Sequence, residues 1–440
     1  MIKTLTSAFK NKDIRKKLLY TLMMLVVIRI GSLLPIPGVD TEYFSTLLSG
    51  FNSGDLSYLS AFTGGSFEKM SLFALSITPY ITSSIIMQLL TIAIPKLEEM
   101  QKEGEDGRKK IASITRYVTI ALALIESIAM AVGFGRQGLI KDYKDMSTIH
   151  YVTCIIVVVA ALTAGSAVLM WIGERITEKG VGNGISIVLL INIISGMPSD
   201  FVTLYSTFVA NKSIARGVTV AVIIAAIVIA VVVLVVILQD GERRIPVQYS
   251  QKVAGRKTIG GQATNIPLKV NTAGVMPIIF ASSIMQFPVI IVQLFTSNSY
   301  QWTIFLSQSY WCRVQMPKYS IGLLLYIILV VVFAYFYTSI TFNPVQIADN
   351  LKKAGGVVPG ITPGRSTSEY LNKILNYIVF IGAVGLMIVA LIPIMCTGFF
   401  NASVSFGGTS IIIIVGVVLE TMKQIESMMV NRNYRGFLSE

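Results

Sequence analysis

Long apolar runs, separated by shorter polar segments, dominate the hydrophobic pattern of this 440-residue chain. Each run is near or above the ~18 residues that a helix needs to cross a bilayer. The runs cover residues 18–35, 71–94, 113–134, 151–172, 181–197, 217–238, 272–296, 319–342, 374–396 and 409–428. The pattern therefore predicts an all-α integral membrane protein with ten transmembrane helices.

Two of these runs resemble each other. The stretches "ITPYITSSIIMQ" (77–88) and "VMPIIFASSIMQ" (275–286) share a proline, two isoleucines, a serine and the closing Met-Gln pair. Ten spans divide into two sets of five, and because five is odd, a second half that resembles the first must enter the membrane upside down. The sequence thus predicts two inverted halves, residues 18–215 and 216–429.

The charge distribution predicts the orientation. The basic N-terminus, residues 1–17, precedes a run that is too long for the apolar region of a signal peptide and that no small-residue cleavage site follows. We therefore expect the first span to be retained and the N-terminus to be cytoplasmic. Most of the 36 Lys and Arg residues fall on that same side, as the positive-inside rule requires. An even number of spans makes the tail, residues 430–440, cytoplasmic as well.

Composition agrees with a membrane protein and adds a question about partners. The chain is 53% hydrophobic and 13% charged, with a mean hydropathy of +0.70, whereas a soluble domain has about 25% charged residues. The net charge of +13 is mostly cytoplasmic. It fits either anionic lipid or a polyanion such as ribosomal RNA.

Two of the cytoplasmic loops are unusually long. Residues 239–271 and 343–373 exceed the roughly 12–15 residues of an ordinary connection. The first is strongly basic, and the second contains "KKAGGVVPGITPGR", whose Gly and Pro residues predict turns rather than helix. Length favours a docking role, and the alternative is a pair of solvated positive-inside loops.

One outer segment, residues 53–69, has apolar residues at helical spacing but is too short to cross the membrane. Leu56, Leu59 and Phe62 share the apolar face, and Gly64 and Gly65 interrupt it. The pattern fits a helix at the membrane interface. It equally fits a re-entrant segment, which requires protein or water around it.

The sequence offers little for catalysis. A single histidine, His150, excludes His-based triads and multi-histidine metal sites, and no acidic dyad suggests an intramembrane protease. "GVGNGIS" (180–186) lacks the GK[ST] ending of a phosphate-binding loop, so we interpret it as a tight reversal with Asn183 bonding free backbone groups. We expect neither an enzyme nor a cofactor. Arg29, Glu126 and Glu420 lie inside spans and should face protein or water.

Several stretches resemble the SecY family, the channel-forming subunits of the bacterial protein translocase. "LFALSITPYITSSIIMQLL" (72–90) and "WIGERITEKGVGNGISIV" (171–188) are similar to its two signature segments. "EGEDGRKKI", "PLKVNTAGVMP" and "FGGTS" are similar to further family stretches in the right order, so the resemblance covers essentially the whole chain.

The resemblance implies a channel with a central hourglass pore in the bacterial plasma membrane. Such a channel passes unfolded secretory proteins that carry signal sequences, and it releases apolar segments sideways into lipid. The waist of the pore would be a ring of aliphatic residues, which taken alone would otherwise be ordinary packed or lipid-facing side chains. By motif position the ring comprises Ile77, Ile81, Ile185, Leu189, Ile279 and Ile413.

The resemblance also implies a lateral gate, formed where the second and seventh spans close on each other. Small and hydroxyl side chains would allow close contact there, and Pro79 and Pro277 are expected to bend the two helices around the pore. The gate residues would be Pro79, Ser83, Ser84, Gln88, Ala281, Ser282, Ser283 and Phe287.

Two further parts follow from the resemblance. Segment 53–69 would be the plug that fills the outer funnel, and its residues would be Leu56, Leu59, Phe62, Gly64 and Gly65. The basic loops would dock the ribosome and the motor ATPase SecA through Arg243, Arg244, Arg256, Lys257, Lys352, Lys353 and Arg365. The small membrane subunits SecE and SecG would be further partners.

Two positions depart from the family pattern. Ser76 stands where the family usually has glycine, a change that we expect to be neutral, and Thr362 stands where many relatives carry arginine. Because Thr362 is uncharged, a charge-based role of the loop tip "GITPGR" would require Arg365 to replace that arginine. The alternative function is a small-molecule secondary transporter, which shares inverted repeats but should have a polar site at the midplane, where this chain has aliphatic residues.

Overall fold

The computed structural model describes residues 9–50, 63–135, 139–140, 147–206, 214–249, 252–254, 257–259, 263–295, 301–307, 311–312, 317–400 and 408–436. Within these ranges, every predicted apolar run overlaps one helix of at least 16 residues. The helices of the first half and its connections are α1 (Lys12–Leu33), α2 (Thr41–Gly50), α3 (Thr78–Ala93), α4 (Pro95–Lys102), α5 (Glu105–Phe134), α6 (Thr148–Lys179) and α7 (Gly184–Leu204).

The second half has the same plan with a strand-rich insertion. Its helices are α8 (Ile214–Asp240), α9 (Met276–Phe295), α10 (Gln301–Leu306), α11 (Ile321–Thr341), α12 (Pro344–Lys353), α13 (Arg365–Phe400) and α14 (Gly408–Gly436). Its strands are β1 (Glu242–Tyr249), β2 (Lys252–Ala254), β3 (Lys257–Ile259), β4 (Ala263–Lys269) and β5 (Gly356–Val357).

By length and composition, five of the described helices can cross a membrane alone. The pair α3 and α4, which meet at an angle of 100°, passes the same test only when the two helices are taken together, as a broken span or a re-entrant segment. Two shorter apolar stretches, Gly184–Ser199 and Met276–Met285, lie at the start of α7 and α9. These two apolar stretches are short because small, polar and proline residues interrupt the hydrophobic pattern of α7 and α9.

Asparagine and proline residues set several helix starts. The Asn183 side chain accepts a hydrogen bond from the Ile185 backbone N–H at 3.1 Å, which is an N-cap. The predicted role of Asn183 in the reversal between α6 and α7 is thereby confirmed. Asn343 caps α12 in the same way, with Pro344 in the first turn, where a missing N–H is harmless.

The second span is helical over only part of its predicted length. Helix α3 begins at Thr78, and residues 71–77 form turns in which Ser76 has a φ of +53°. Pro79 lies in the first turn of α3, where proline fits without breaking a hydrogen bond. The expectation that Pro79 bends this helix was therefore wrong, since Pro79 is the second residue of α3. Pro277 is likewise the second residue of α9.

The two halves meet along two principal helix pairs. Helix α5 packs against α9, and α7 packs against α14. Within the first half, α5 also contacts α3 and α6, and within the second half α9 packs on α11. The seam between the halves therefore runs past α5 and α9 on one side and past α7 and α14 on the other.

The two long loops form one small domain, which we call the loop domain. Strand β1 pairs with β4 on one edge and β5 on the other, in the order β4-β1-β5. The two loops therefore share a sheet although about a hundred residues separate them in the chain. Its core is formed by Ile245, Val247, Leu268, Leu351, Val358, Leu371, Ile374 and Ile378.

The predicted turns of the second loop are present. Gly355, Gly360 and Gly364 all have positive φ angles, a conformation that glycine adopts without strain. Helix α12 and strands β1–β5 were not predicted from the sequence. The described parts of the two loops thus pack into one domain with its own apolar core.

Candidate functional site

The six aliphatic residues of the predicted ring all belong to the large apolar cluster that runs through both halves of the protein. Ile77, Leu189, Ile279 and Ile413 are buried in it, and Ile81 and Ile185 pack against it. The ring residues lie at or near the starts of α3, α7 and α9 and within α14, and α7 packs against α14. Both halves of the chain therefore contribute to a single hydrocarbon cluster.

Glycine backbones let the helices around this cluster approach closely. A Cβ atom on Gly173 of α6 would lie 3.4 Å from Ile185 Cγ1 and 3.7 Å from Ile77 Cδ1. These two ring residues therefore face the same spot on α6. A Cβ on Gly184 would lie 1.9 Å from the Gly173 carbonyl oxygen, so α7 can start at this position only with glycine there.

A layer of polar groups adjoins the cluster; we call it the polar layer, and it comprises Arg29, Gly64, Ser76, Asn192 and Ser195. The Asn192 side-chain amide donates to Ser76 Oγ at 3.0 Å, next to ring residue Ile77. Asn192 also lies one helical turn beyond ring residue Leu189 on α7. The polar layer therefore sits against two ring positions.

Ser76 is more than a neutral replacement for glycine. It is buried and has a φ of +53°, a left-handed conformation that costs a side-chain-bearing residue about 1–2 kcal/mol. Its hydroxyl accepts the Asn192 amide proton, a bond that glycine would not make. The hydrogen bond offsets part of the strain. Serine in place of the family's glycine therefore adds a hydrogen bond between this turn and α7.

The described end of segment 53–69, the predicted plug, packs on α7. Thr63, Ser66 and Phe67 are buried, and Phe67 makes edge contacts with the rings of two other phenylalanines. Gly64 has a φ of +64° and faces Asn192 and Ser195. Leu56, Leu59 and Phe62 lie outside the described residues.

Not all of the predicted gate residues face the seam between the halves. Ser83 is fully buried, and its hydroxyl donates to the Thr115 carbonyl at 3.0 Å and bonds the Thr119 hydroxyl at 2.7 Å. Both partners belong to α5, so Ser83 ties α3 to its neighbour within the first half. Ser282 lies beside the Tyr326 hydroxyl of α11, within the second half. These two hydroxyls serve contacts inside each half.

The other gate positions are less specialised. Ala281 is fully buried and Ser283 is half-buried on α9. Ser84 and Gln88 are half-buried on α3, and the Gln88 Oε1 atom is enclosed without a hydrogen-bond donor among the described residues. The side chain of Phe287 lies outside the described residues.

The loop domain presents the predicted basic residues at its surface. Arg243, Arg244, Lys352 and Lys353 are exposed. Arg244 pairs with Glu242 at 2.6 Å, and Arg365, with 93% of its side chain exposed, pairs with Glu369 at 3.0 Å. Surface pairs of this kind contribute about 0–1 kcal/mol, so both arginines remain available to a partner.

The two other basic positions are less fully described. Lys257 begins strand β3, and its side chain lies outside the described residues, as does Arg256 entirely. The hairpin β2–β3 brings Lys252 opposite Ile259 and Ala254 opposite Lys257. The described basic positions of the first loop are thus carried by strands.

Comparison with known proteins identifies relatives along the whole chain. The SecY family model matches residues 71–422. Protein translocase subunit SecY of Streptomyces galbus is 42% identical over 453 aligned residues, which cover 100% of both chains. Protein translocase subunit SecY of Bacillus subtilis (strain 168) is 40% identical over 446 aligned residues, again covering 100% of both chains.

Solved structures share the fold. A structure described as that of a protein conducting channel superposes with a TM-score of 0.60 at 18% identity, covering 94% of this chain and 93% of the other. A SecY structure that concerns the plug domain and the closed state gives a TM-score of 0.63 at 17% identity, covering 94% and 92%. The predicted arrangement of ten transmembrane helices in two inverted halves around a central hourglass pore is confirmed by this fold.

Proposed function

The chain belongs to the SecY family and is a multi-pass membrane protein that conducts proteins, and from this premise we propose which of its residues perform each part of the task. It is a channel and not an enzyme. It passes unfolded secretory proteins across the membrane and releases apolar segments sideways into lipid. The relatives give no support to the alternative of a small-molecule transporter.

The proposed constriction is the ring of six aliphatic residues. The observation that carries the proposal is that these residues, from four separate segments of both halves, belong to one apolar cluster. A pore for any unfolded sequence cannot rely on specific hydrogen bonds, whereas a narrow hydrocarbon waist dewets when empty and so blocks ions. Isoleucine is stiff at χ1, so the ring closes firmly around a chain.

The proposed lateral exit lies between the second and seventh spans, α3 and α9, on the side of the seam where α5, the third span, packs against α9. The contact of α5 with α9 supports it, because separation of this pair opens the waist toward lipid. Ser83 hydrogen-bonds α3 to α5, and α9 packs on α11, so each side of the seam can move as a unit. Ser84, Gln88, Ala281, Ser283 and Phe287 remain the proposed gate residues that line it.

Reconstitution tests this function. Vesicles that hold the full chain, its small partner subunits SecE and SecG, and SecA should import an unfolded preprotein with a signal sequence. The energy would come from SecA or the ribosome, because the sequence carries no phosphate-binding motif. Absence of import, or solute uptake coupled to an ion gradient, would contradict the proposal.

The loop domain is the proposed docking surface for the ribosome and SecA, on the cytoplasmic face of the bacterial plasma membrane with both termini on the same side. The shared sheet of the two loops supports this, because a rigid platform presents its charges in fixed positions. A ribosome-bound structure, Sec61 in a canine ribosome-channel complex, has the same fold with a TM-score of 0.58 at 16% identity. Arg243, Arg244, Lys352, Lys353 and Arg365 are its described basic residues.

Charge reversal tests the docking surface. We expect Arg256→Glu combined with Lys257→Glu to weaken ribosome binding and to reduce the slope of log K against log salt by roughly 1.5, since each phosphate contact contributes about 0.7–0.9 to the slope. Binding to the reconstituted complex is measured across a salt series. The matched control is Lys318→Glu, an exposed lysine of the opposite predicted side. A binding constant that responds equally to both changes would remove the docking proposal.

A further inference from the structure

Arg29 carries a full charge inside a membrane-spanning helix, and the ring does not explain it. An arginine in such a position is costly and is usually retained for function. It is half-buried in α1, and no ion pair in the described part of the chain includes it. Instead, Arg29 Nη1 donates a hydrogen bond of 2.9 Å to Ser195 Oγ of α7.

Ser195 relays this contact to the plug segment. Its hydroxyl oxygen accepts from Arg29, lies 2.7 Å from the Asn192 carbonyl oxygen, and lies 3.4 Å from the Gly64 carbonyl oxygen. A hydroxyl has one proton, so the two carbonyls share it, and Gly64 is the weaker acceptor. A cationic donor strengthens the bonds of the group it polarises, so Arg29 strengthens the hold of Ser195 on both.

The fit at Gly64 is tight enough to be specific. A Cβ on Gly64 would lie 2.6 Å from Ser195 Oγ and 2.8 Å from the Asn192 carbonyl oxygen. Gly65 also has a positive φ, of +79°, but a Cβ there would meet nothing within 4 Å. The contact with α7 therefore belongs to Gly64, while both glycines share the same backbone requirement.

We propose that Arg29, acting through Ser195, latches the Gly64 end of the plug segment onto α7 and so sets how strictly the closed channel discriminates between signal sequences. This rests on the proposed function of segment 53–69 as the plug. The latch exists only while Gly64 is seated. When the plug segment leaves, Arg29 and Ser195 face the water of the open funnel, where both are well solvated. Arg29 is thus a positioning residue.

The test compares the import of two preproteins by the reconstituted translocase complex, one with a normal and one with a defective signal. We expect Ser195→Ala to raise the ratio of defective-signal to normal-signal import by up to about tenfold, the effect of losing one hydrogen bond, and Arg29→Met, which removes only the cationic donor behind that bond, to raise it by less. Resting ion conductance should rise in the same variants. The double variant should match Ser195→Ala, because Arg29 acts only through Ser195.

Two further comparisons separate the latch from general damage. Gly64→Ala should raise the import ratio more than Gly65→Ala, since both strain the backbone and only the first displaces α7. Ser199→Ala, on the exposed face of the same helix, should leave the ratio unchanged. Damage to folding would lower the import of both preproteins, whereas loss of the latch raises the import of the preprotein with the defective signal.

The outcomes that overturn the latch are distinct. An unchanged ratio in Ser195→Ala would overturn it, even if Arg29→Met failed to assemble. Additive effects of the two substitutions would show that Arg29 does not act through Ser195, which also overturns it. Failure of the unsubstituted complex to import a normal preprotein would instead overturn the proposed function.

Discussion

Replacing Ile279 with asparagine should loosen the closed channel and admit preproteins with defective signals. Ile279 is 6% exposed in the apolar cluster that the ring residues share. A buried amide without a hydrogen-bond partner costs about 1–3 kcal/mol, and in the proposed ring that cost falls on the closed state alone, because the open waist is wet. A shift of 1.4 kcal/mol is a factor of about ten, so import with a defective signal should rise by about tenfold or more.

The measurement is the same pair of preproteins together with resting ion conductance. Ile284→Asn is the matched control, because it places the same amide on the same helix at a side chain that is 43% exposed. Ile279→Val keeps the site apolar and should preserve stringency. If Ile279→Asn and Ile284→Asn changed stringency equally, the ring would lose its support.

The apolar runs predicted the transmembrane helices well because hydropathy alone determines whether a segment can cross lipid. Hydropathy does not specify the backbone within a run. Residues 71–77 are apolar enough to extend the second span, yet they form turns that are packed inside the protein. The signal was present in the sequence, since Ser76 occupies a family glycine position and adopts a φ that glycine favours.

The loop domain was missed for a different reason. Strand β1 alternates over only a few positions, with Ile245 and Val247 buried among exposed neighbours. Such a short period-2 pattern is weak evidence for a strand. Its pairing with β5 joins residues about a hundred positions apart, and nothing local in either segment specifies that register.

In the site itself, the sequence predicted which residues matter but not all of the contacts that they make. Family motifs placed the ring residues, and all of them belong to the large apolar cluster that spans both halves. The contact between Arg29 and Ser195 spans 166 residues of sequence. A lone arginine in a span indicates that a partner exists, but only the packing of α1 on α7 identifies it. Ser83 was assigned to the gate for its small size, and its hydroxyl instead bonds α5.

The strongest effect on assembly is expected at the start of α7. Gly184→Ala places a Cβ 1.9 Å from the Gly173 carbonyl oxygen and 2.9 Å from Ile176 Cβ, and neither contact can be relieved by a side-chain rotation. The helices must separate, at a cost that overpacking places at about 1–3 kcal/mol or more. Because Ile185 follows directly and faces Gly173, the proposed ring would open at one side.

We therefore expect Gly184→Ala to lower the midpoint of thermal unfolding in detergent and to increase resting ion leakage. Gly196→Ala is the matched control, since Gly196 lies in the same helix and a Cβ there would meet nothing within 4 Å. That variant should be neutral or slightly stabilising, as alanine favours helix over glycine by about 1 kcal/mol. If the two variants behaved alike, close approach of α6 and α7 would not be what seats Ile185. The α7–α14 contact between the halves would then have to position the ring residues. In that case only substitutions in α14 would increase resting ion leakage.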